Sequence, residues 1–373
     1  WKYKVPEDQT CYDSALYLVC QGCNLFISNS YGHQSYMALA AEEYPDVTFV
    51  AMTGDFAALS GLDNFKNAFT KVYQSRYVSG VVAGMKIAEM LGDGTLSAEK
   101  QPNSFDADGN VKIGYVGAYN YAEVISGYTA FFLGVRSIVP NVTMEVMYTN
   151  SWFDIDKEGA AAEALVAKGC VIIGQHADST GAPAAVQKLQ DAGTVCYSIG
   201  YNIDMLPTAP TAALTSATNV WSVFYKELFE AALNGEEIAP DWAKGYDDGA
   251  VAVTEFGPSC AAGTAEKVAE VEAALRDGSL KVFDTATFTV NGETITAEVK
   301  FTPKDRNGEV KVKFVFDASG ITKSTSLVIF ESLYRDDVEI TTHKDIEDKD
   351  QMVTITPPPD IPKTGDTTNI PLW

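Results

Sequence analysis

Two hydrophobic periods divide this chain, and the change between them falls near Phe283. Upstream, short apolar runs alternate with helix-length segments whose apolar positions recur three and four apart. Ile113, Tyr115 and Val116 make one such run; Gly114 and Gly117 loosen its end, and a helical pattern follows from Val124 to Leu133. The same unit recurs as strand 143–149, helix 157–167, strand 170–174, helix 183–192 and strand 195–200. Strands alternating with helices of this length imply right-handed crossovers and a parallel sheet.

Earlier in the chain, residues 14–20 read as a helix tail and 24–28 and 48–52 as buried strands. The helix joining those strands holds Tyr36, Leu39, Ala40 and Tyr44 and stops at Pro45. Residues 64–88 read as one long helix-forming region in which Gly80 and Gly84, four apart, suit a close helix contact. Leu214-Thr215-Ser216 interrupts the regularity. A helix over 220–233 follows, with Trp221, Phe224, Leu228 and Ala231 on one stripe, then a strand region at 245–254 and a helix at 266–275. Beyond Phe283 the alternation has period two. Strands are expected at 294–301, 309–316, 327–334 and 351–356, with turns at Asn307-Gly308 and Ser319-Gly320, before a stiff Pro357-Pro358-Pro359 tail.

Ligands of open parallel sheets sit beyond the carboxyl ends of the strands, so the loops there are the candidate site. Those loops hold Tyr31, then Trp152, Phe153 and Asp154, then His176, Asp178 and Ser179, then Asn202 and Asp204. Tyr119 and Tyr121 stand on a further loop as a candidate rim.

Composition narrows the partners. With 46% hydrophobic residues in 373 and a mean hydropathy of -0.04, the chain can bury two or three cores, and no stretch reads as a membrane span. A formal charge of -23 repels phosphate backbones and anionic lipid, so no nucleic-acid partner is expected. Six cysteines over this length are no disulfide framework; Cys20-Gln21-Gly22-Cys23 has thiol-redox spacing but lacks a second pair for zinc. The Asp106–Asn110 stretch lacks the distal glutamate of a calcium loop and reads as a turn. His176 near Ser179 has no nucleophile-elbow context, and no phosphate-binding, dinucleotide or metalloprotease motif occurs, so no enzyme activity and no cofactor are expected.

From about Asp13 to Phe283 the chain resembles the basic membrane protein family of ABC-transporter substrate-binding proteins, which includes purine-nucleoside receptors. The resemblance is carried by AAEEYPDVTFV, NFKNAFTKVYQSRYVSGVVAG, KIGYVGAYNYAEVISGYTAFFLGVRSIVPNV, YTNSWFD, IGYNID and LTSATNVW. It implies an α/β fold of the type I periplasmic-binding-protein kind, two parallel-sheet lobes joined by a hinge. Lobe I would span 1–112, completed by about 216–240, and lobe II 113–215, completed by about 245–283. Hinge segments are expected near Lys112–Ile113, 199–201 and 214–216. In that family a nucleobase lies between aromatic rings while carboxylates and amides hold the ribose. The matching ligand-binding positions are Tyr31, Trp152 or Phe153, Asp178, Asn202, Asp204 and Asn219. Flat π faces stack on a base, and ionised oxygens accept from hydroxyls. Asn219 stands where such receptors tend to carry lysine, Asn202 where many carry Asp, and the family's opening strand is not in this sequence.

The period-two segment, 284–356, resembles the second half of the VaFE repeats of Gram-positive surface proteins through ITAEVKFTP, GEVKVKFVFDASG, SLVIFESLY and HKDIEDKDQ. Those repeats carry an internal threonine–glutamine ester. The resemblance makes Gln351 the acyl partner, His343 and Asp348 the proton relay and Glu331 an assisting acid, with the threonine in the half not present. The alternative is a polar turn before the last strand. In the tail, 357–373, IPKTGD is similar to a sortase sorting signal, which would be cut between Thr364 and Gly365 and joined to the cell wall. Both ends of the chain read as abrupt, with segments expected beyond them.

The function these resemblances imply is surface capture of a nucleoside-like molecule, purine nucleoside favoured, for an ABC importer. The partners are then that molecule, the membrane permease, sortase and the cell wall of a Gram-positive bacterium. The alternative is a wall-anchored adhesin or structural protein using the lobes as scaffold.

Overall fold

In chain order the elements are α1 (Gln9–Cys20), β1 (Leu25–Ser28), α2 (Gln34–Glu43), β2 (Thr48–Met52), α3 (Ala57–Ser60), β3 (Phe65–Ala68), α4 (Val72–Gly92), β4 (Val111–Gly117) and α5 (Ala122–Arg136). They continue through β5 (Val142–Tyr148), α6 (Ile155–Ala167), β6 (Ile172–Gln175), α7 (Gly181–Asp191), β7 (Tyr197–Tyr201), β8 (Ala213–Asn219), α8 (Trp221–Asn234), β9 (Asp241–Trp242), β10 (Val251–Val253) and α9 (Thr264–Arg276). This computed structural model describes residues 1–283, 289–290, 293–294, 297–303, 309–314, 325–329, 331–335, 338–343 and 352–355. Trp1–Phe283 is one compact unit and Asp284–Trp373 a second.

The first unit holds two sheets. One has the order β1-β2-β3-β9, all parallel; the other has the order β10-β8-β7-β6-β4-β5, parallel except for β10. Strands buried on both faces explain the continuous apolar runs, such as Val50, Ala51 and Met52 in β2 and Ile172 and Ile173 in β6. The first sheet is covered on one side by α1 and α2 residues packing on Phe26 and Phe49, and on the other by Phe224, Leu228 and Trp242. Each fully buried apolar side chain of this size contributes about 1.5–3 kcal/mol.

The largest core joins α4, α5 and α9 to the second sheet. A Cβ on Gly80 would lie 2.1 Å from the Phe131 carbonyl oxygen, and one on Gly134 would lie 2.1 Å from that of Tyr77. Helices α4 and α5 therefore meet backbone to backbone, the close contact that Gly80 and Gly84 suggest.

Three expectations need correction. Residues 65–68 are a strand rather than the start of a helix: Phe65 fills the first core, and β3 pairs with β2 and β9. The stretch 214–216 lies within β8, where Thr215 and Ser216 pair with Ile199 and Gly200 of β7, and is not a break; β10 pairs with the later residues 217–219. Long-range pairing overrides local propensity in both cases. The lobe boundary also moves. Helix α4 packs with the second sheet, so the chain passes between the sheets near Phe69–Lys71, Val220 and 243–249, not at 112. The expected hinges at 112–113, 199–201 and 214–216 lie within strands of the second sheet. At the crossings, Phe69 N donates to Trp242 O (2.8 Å), Lys71 N to Lys244 O (2.7 Å) and Val220 N to Ala250 O (2.8 Å).

In the second unit, β11 (Thr289–Val290) pairs with β12 (Glu293–Thr294). Strand β13 (Thr325–Val328) pairs with β16 (Met352–Ile355), and β14 (Glu331–Arg335) with β15 (Val338–His343), all antiparallel. One strand expected at 327–334 is thus two. Residues 297–301 and 309–314, expected as strands, are outside strands, with Val299, Phe301, Val310 and Val312 exposed; alternation without a paired neighbour does not make a strand. Gln351, Asp348, Thr364 and Gly365 lie outside the described residues.

Candidate functional site: a cleft between two sheets

All six loops of the site leave the carboxyl ends of parallel strands, which gathers their side chains at one place. From the first sheet, a tight turn after β1 places Tyr31, and the loop after β2 places Asp55. Tyr31 donates its hydroxyl to Asp55 Oδ2 (3.2 Å), and Gln34 Nε2 donates to Asp55 Oδ1 (3.1 Å). Burial, with the Asp55 carboxylate, pushes the Tyr31 phenol up to about 12, so it remains a donor. Desolvation and then Asp55 also raise the carboxyl of Asp241 on β9.

From the second sheet come Tyr119 and Tyr121 after β4, Trp152 after β5, His176 and Asp178 after β6, and Asn202 after β7. Their rings form a chain. Tyr31 and Tyr121 have centroids 5.6 Å apart, Tyr121 stacks on Tyr119 at 5.1 Å, Tyr119 meets the edge of Trp152 at 4.9 Å, and Trp152 lies 6.0 Å from His176. His176 in turn lies 5.2 Å from Tyr201. The contact of Tyr31 with Tyr121 joins the two walls.

Polar groups run beneath the rings. His176, 3% exposed, donates Nε2 to the Glu123 carboxylate at 2.7–2.8 Å. Burial pushes the Glu123 carboxyl up, but the charge and hydrogen bond of His176, with Arg76, outweigh it and hold the carboxyl below its ordinary value. Asp178 is raised by burial despite His176 and a 3.0 Å bond from Asn202 Nδ2. Asn219 Nδ2 donates to Asn202 Oδ1 (2.8 Å) and to the Tyr201 hydroxyl (3.3 Å), and Thr70, on the crossing from the first sheet, donates to Asn219. Asn202 holds φ at +63°, a left-handed conformation that Asn tolerates better than most residues, and this turns its amide back toward Asp178.

Of the sequence-derived positions, Tyr31, Trp152, Asp178, Asn202 and Asn219 are brought into this network. Phe153 is 62% exposed, and Asp204 is exposed with its carboxylate accepting from Leu206 N (2.9 Å), a local turn. Sequence reasoning passed over Asp55, Gln34, Glu123 and Arg76. The rule that found Tyr31 reaches Asp55, which follows strand β2 in the same way; Arg76, inside a helix, has no such signal. Among the described residues, no group of His, Cys, Asp and Glu is arranged to hold a metal ion, and no helix is long and apolar enough to cross a membrane.

Known proteins place this arrangement. Residues 9–278 match the family described as ABC transporter substrate-binding protein PnrA-like (Bmp), and residues 270–355 match the T-Q ester bond containing domain. Thr285, Thr287 and Thr289 thus fall in the second match alone. The chain is 32% identical over 263 residues to a purine-binding protein of Brucella abortus, covering 70% of this chain and 66% of that one. It is 30% identical over 265 residues to a putative ABC transporter glucose-binding protein of Haloferax volcanii, covering 71% and 60%. The matches therefore span about two thirds of those relatives' lengths. An ABC transporter system solute-binding protein of Aeropyrum pernix shares the fold, with a TM-score of 0.61, 13% identity and coverage of 81% of this chain and 84% of that one. The chain belongs to the Bmp family of ABC transporter substrate-binding proteins, and it carries a T-Q ester bond domain after its two α/β lobes.

Proposed function

We propose that the chain captures a nucleoside-like molecule, a purine nucleoside before others, in the cleft between its sheets and delivers it to an ABC importer. The observation that carries this reading is the pairing of a ladder of aromatic faces with a row of acceptors. Trp152 and the tyrosines offer stacking surfaces, while Asp178, Asn202, Asn219 and Asp55 offer oxygens suited to ribose hydroxyls and base N–H groups. Two of these acceptors, Asp178 and Asp55, are carboxylates, which disfavours a phosphorylated ligand. The purine-binding relative supports the same choice, and the glucose-binding relative makes a hexose the competitor. The role is binding without catalysis. Calorimetric titration of the intact chain with guanosine, adenosine, ribose and glucose tests it: saturable nucleoside binding is expected, and saturable binding of glucose alone would shift the ligand class.

The T-Q match favours display outside the cell of a Gram-positive bacterium, held to the wall through sortase cleavage between Thr364 and Gly365. The resemblance assigns Glu331 as the assisting acid and His343 to the proton relay of an ester with Gln351, and Glu331 and His343 are backbone register partners on β14 and β15. Asp348 would complete the relay. Intact mass decides: attack of the Thr285, Thr287 or Thr289 hydroxyl on the Gln351 side-chain amide forms the ester and releases ammonia, leaving the chain lighter by that mass, and an unchanged mass contradicts it.

A further inference from the structure

Beneath the cleft floor lies a buried cation with no direct counter-ion among the described residues. Arg76, on the second turn of α4, is 2% exposed. Its Nη1 donates to the Gln175 carbonyl at the end of β6, and its guanidinium carbon lies 3.7 Å from the Tyr201 ring centroid. Its Nε and Nη2 meet no hydrogen-bond partner among the described residues. A buried charge is costly unless something compensates for it. Here the compensation comes from the π face of Tyr201 and, at longer range, from Glu123 and Asp178, whose carboxyls the Arg76 charge draws downward.

The geometry ties this cation to the floor. A Cβ on Gly127 would lie 3.6 Å from both Arg76 Nε and His176 Cδ2, an ordinary contact distance, so α4, α5 and the His176 loop meet at one point. Tyr201, stacked on Arg76, also accepts from Asn219 and lies beside His176. One guanidinium thus backs both polar arms of the cleft, the Glu123–His176 pair and the Asn219–Asn202–Asp178 row.

We propose that Arg76 is a positioning and specificity-determining residue: from behind the floor, it holds Tyr201 and the Glu123–His176 pair in the arrangement that accepts donors from a neutral ligand. The inference rests on the cleft being the binding site. A flat, always-charged guanidinium both stacks and spreads its charge, which a lysine ammonium does only in part and methionine does not do for charge. The charged and titratable groups facing Glu123 are His176 from the loop after β6, Arg76 from α4, Tyr115 from β4 and Tyr201 from β7; those facing Asp178 are His176, Arg76, Tyr201 and Glu158 from α6.

The test is calorimetric titration of the intact chain, as wild type, Arg76→Met and Arg76→Lys, with guanosine, adenosine and ribose at a series of pH values from about 3 to 8. Binding weakens in acid as the floor carboxylates protonate. Arg76→Met takes away the support of Tyr201 and binds roughly tenfold more weakly near neutrality; without the cation the carboxyls also rise, so its acid midpoint moves up by about one pH unit. Arg76→Lys keeps the midpoint near that of wild type but loses affinity, because the ammonium does not stack flat on Tyr201. A folded Arg76→Met with an unmoved midpoint overturns the proposal, since simple loss of packing changes affinity at every pH alike. Should Arg76→Met fail to fold, Arg76→Lys decides: wild-type affinity for every ligand contradicts the positioning role. No saturable binding by the wild-type chain overturns the cleft reading and this inference with it, whereas wild-type binding with an unmoved Arg76→Met profile overturns this inference alone.

Discussion

On the wall supplied by the six-stranded sheet, Trp152, His176, Asp178, Asn202 and Asn219 are linked to one another and backed by the half-buried Glu123 and the buried Tyr201 and Arg76. On the wall supplied by the four-stranded sheet, Tyr31, Gln34 and Asp55 make a shorter set, with Asp55 exposed, Tyr31 half-buried and Gln34 buried. Under the proposed function, the larger, mutually bonded wall would lose little freedom when a ligand arrives and recognise first, and the shorter set would add contacts as the lobes close. The ring contact between Tyr31 and Tyr121 is where the two meet.

The difference can be broken most severely at Trp152. Trp152→Ala removes the ring that touches both Tyr119 and His176, and is expected to cost about 1–3 kcal/mol of nucleoside affinity, measured by titration. Tyr31→Ala, on the opposite wall, is expected to cost less, about 1 kcal/mol, and to raise the dissociation rate more than it lowers the association rate. Equal losses at the two positions would erase the distinction between the walls.

Two carboxyls of the larger wall have opposite shifts, and stability separates them. Glu123 is held below its ordinary value, so it contributes stability above its unfolded value that is lost as pH falls through the folded one. Asp178 is raised, so its ionisation is a cost that develops as pH climbs from the unfolded value through the folded one. At neutral pH, Glu123→Gln should therefore lower Tm and Asp178→Asn should raise it while weakening ligand binding. Both differences should shrink toward pH 3. Thermal melts at several pH values check the pair. The smallest effects are expected at Asp204→Ala and Phe153→Ala, within about 0.5 kcal/mol for ligand binding, because one side chain caps its own turn and the other faces solvent.

Much of this was legible before the structure. The alternation of strand and helix from Ile113 onward marks the parallel sheet, and the loop rule leads from it to Trp152, Asp178 and Asn202, because position at a strand's carboxyl end is a local property. What was illegible depends on distant pairing. Phe65–Ala68 reads as helix until β2 and β9 flank it, and Leu214-Thr215-Ser216 reads as a break until β7 pairs with Thr215 and Ser216. Asp204 and Phe153 share the loops of true cleft residues, and only the backbone path turns them outward. Arg76 shows the limit most sharply: a charged residue inside an apolar helix reads as solvent-facing, and its burial follows from three elements converging on it.

The most direct test of the central claim is a calorimetric titration of the intact chain with a purine nucleoside, repeated for Trp152→Ala and Asp204→Ala. Recognition by the six-stranded wall predicts saturable one-to-one binding that Trp152→Ala weakens about tenfold or more and Asp204→Ala leaves nearly unchanged. Absence of saturable binding, or equal losses from the two substitutions, would contradict it.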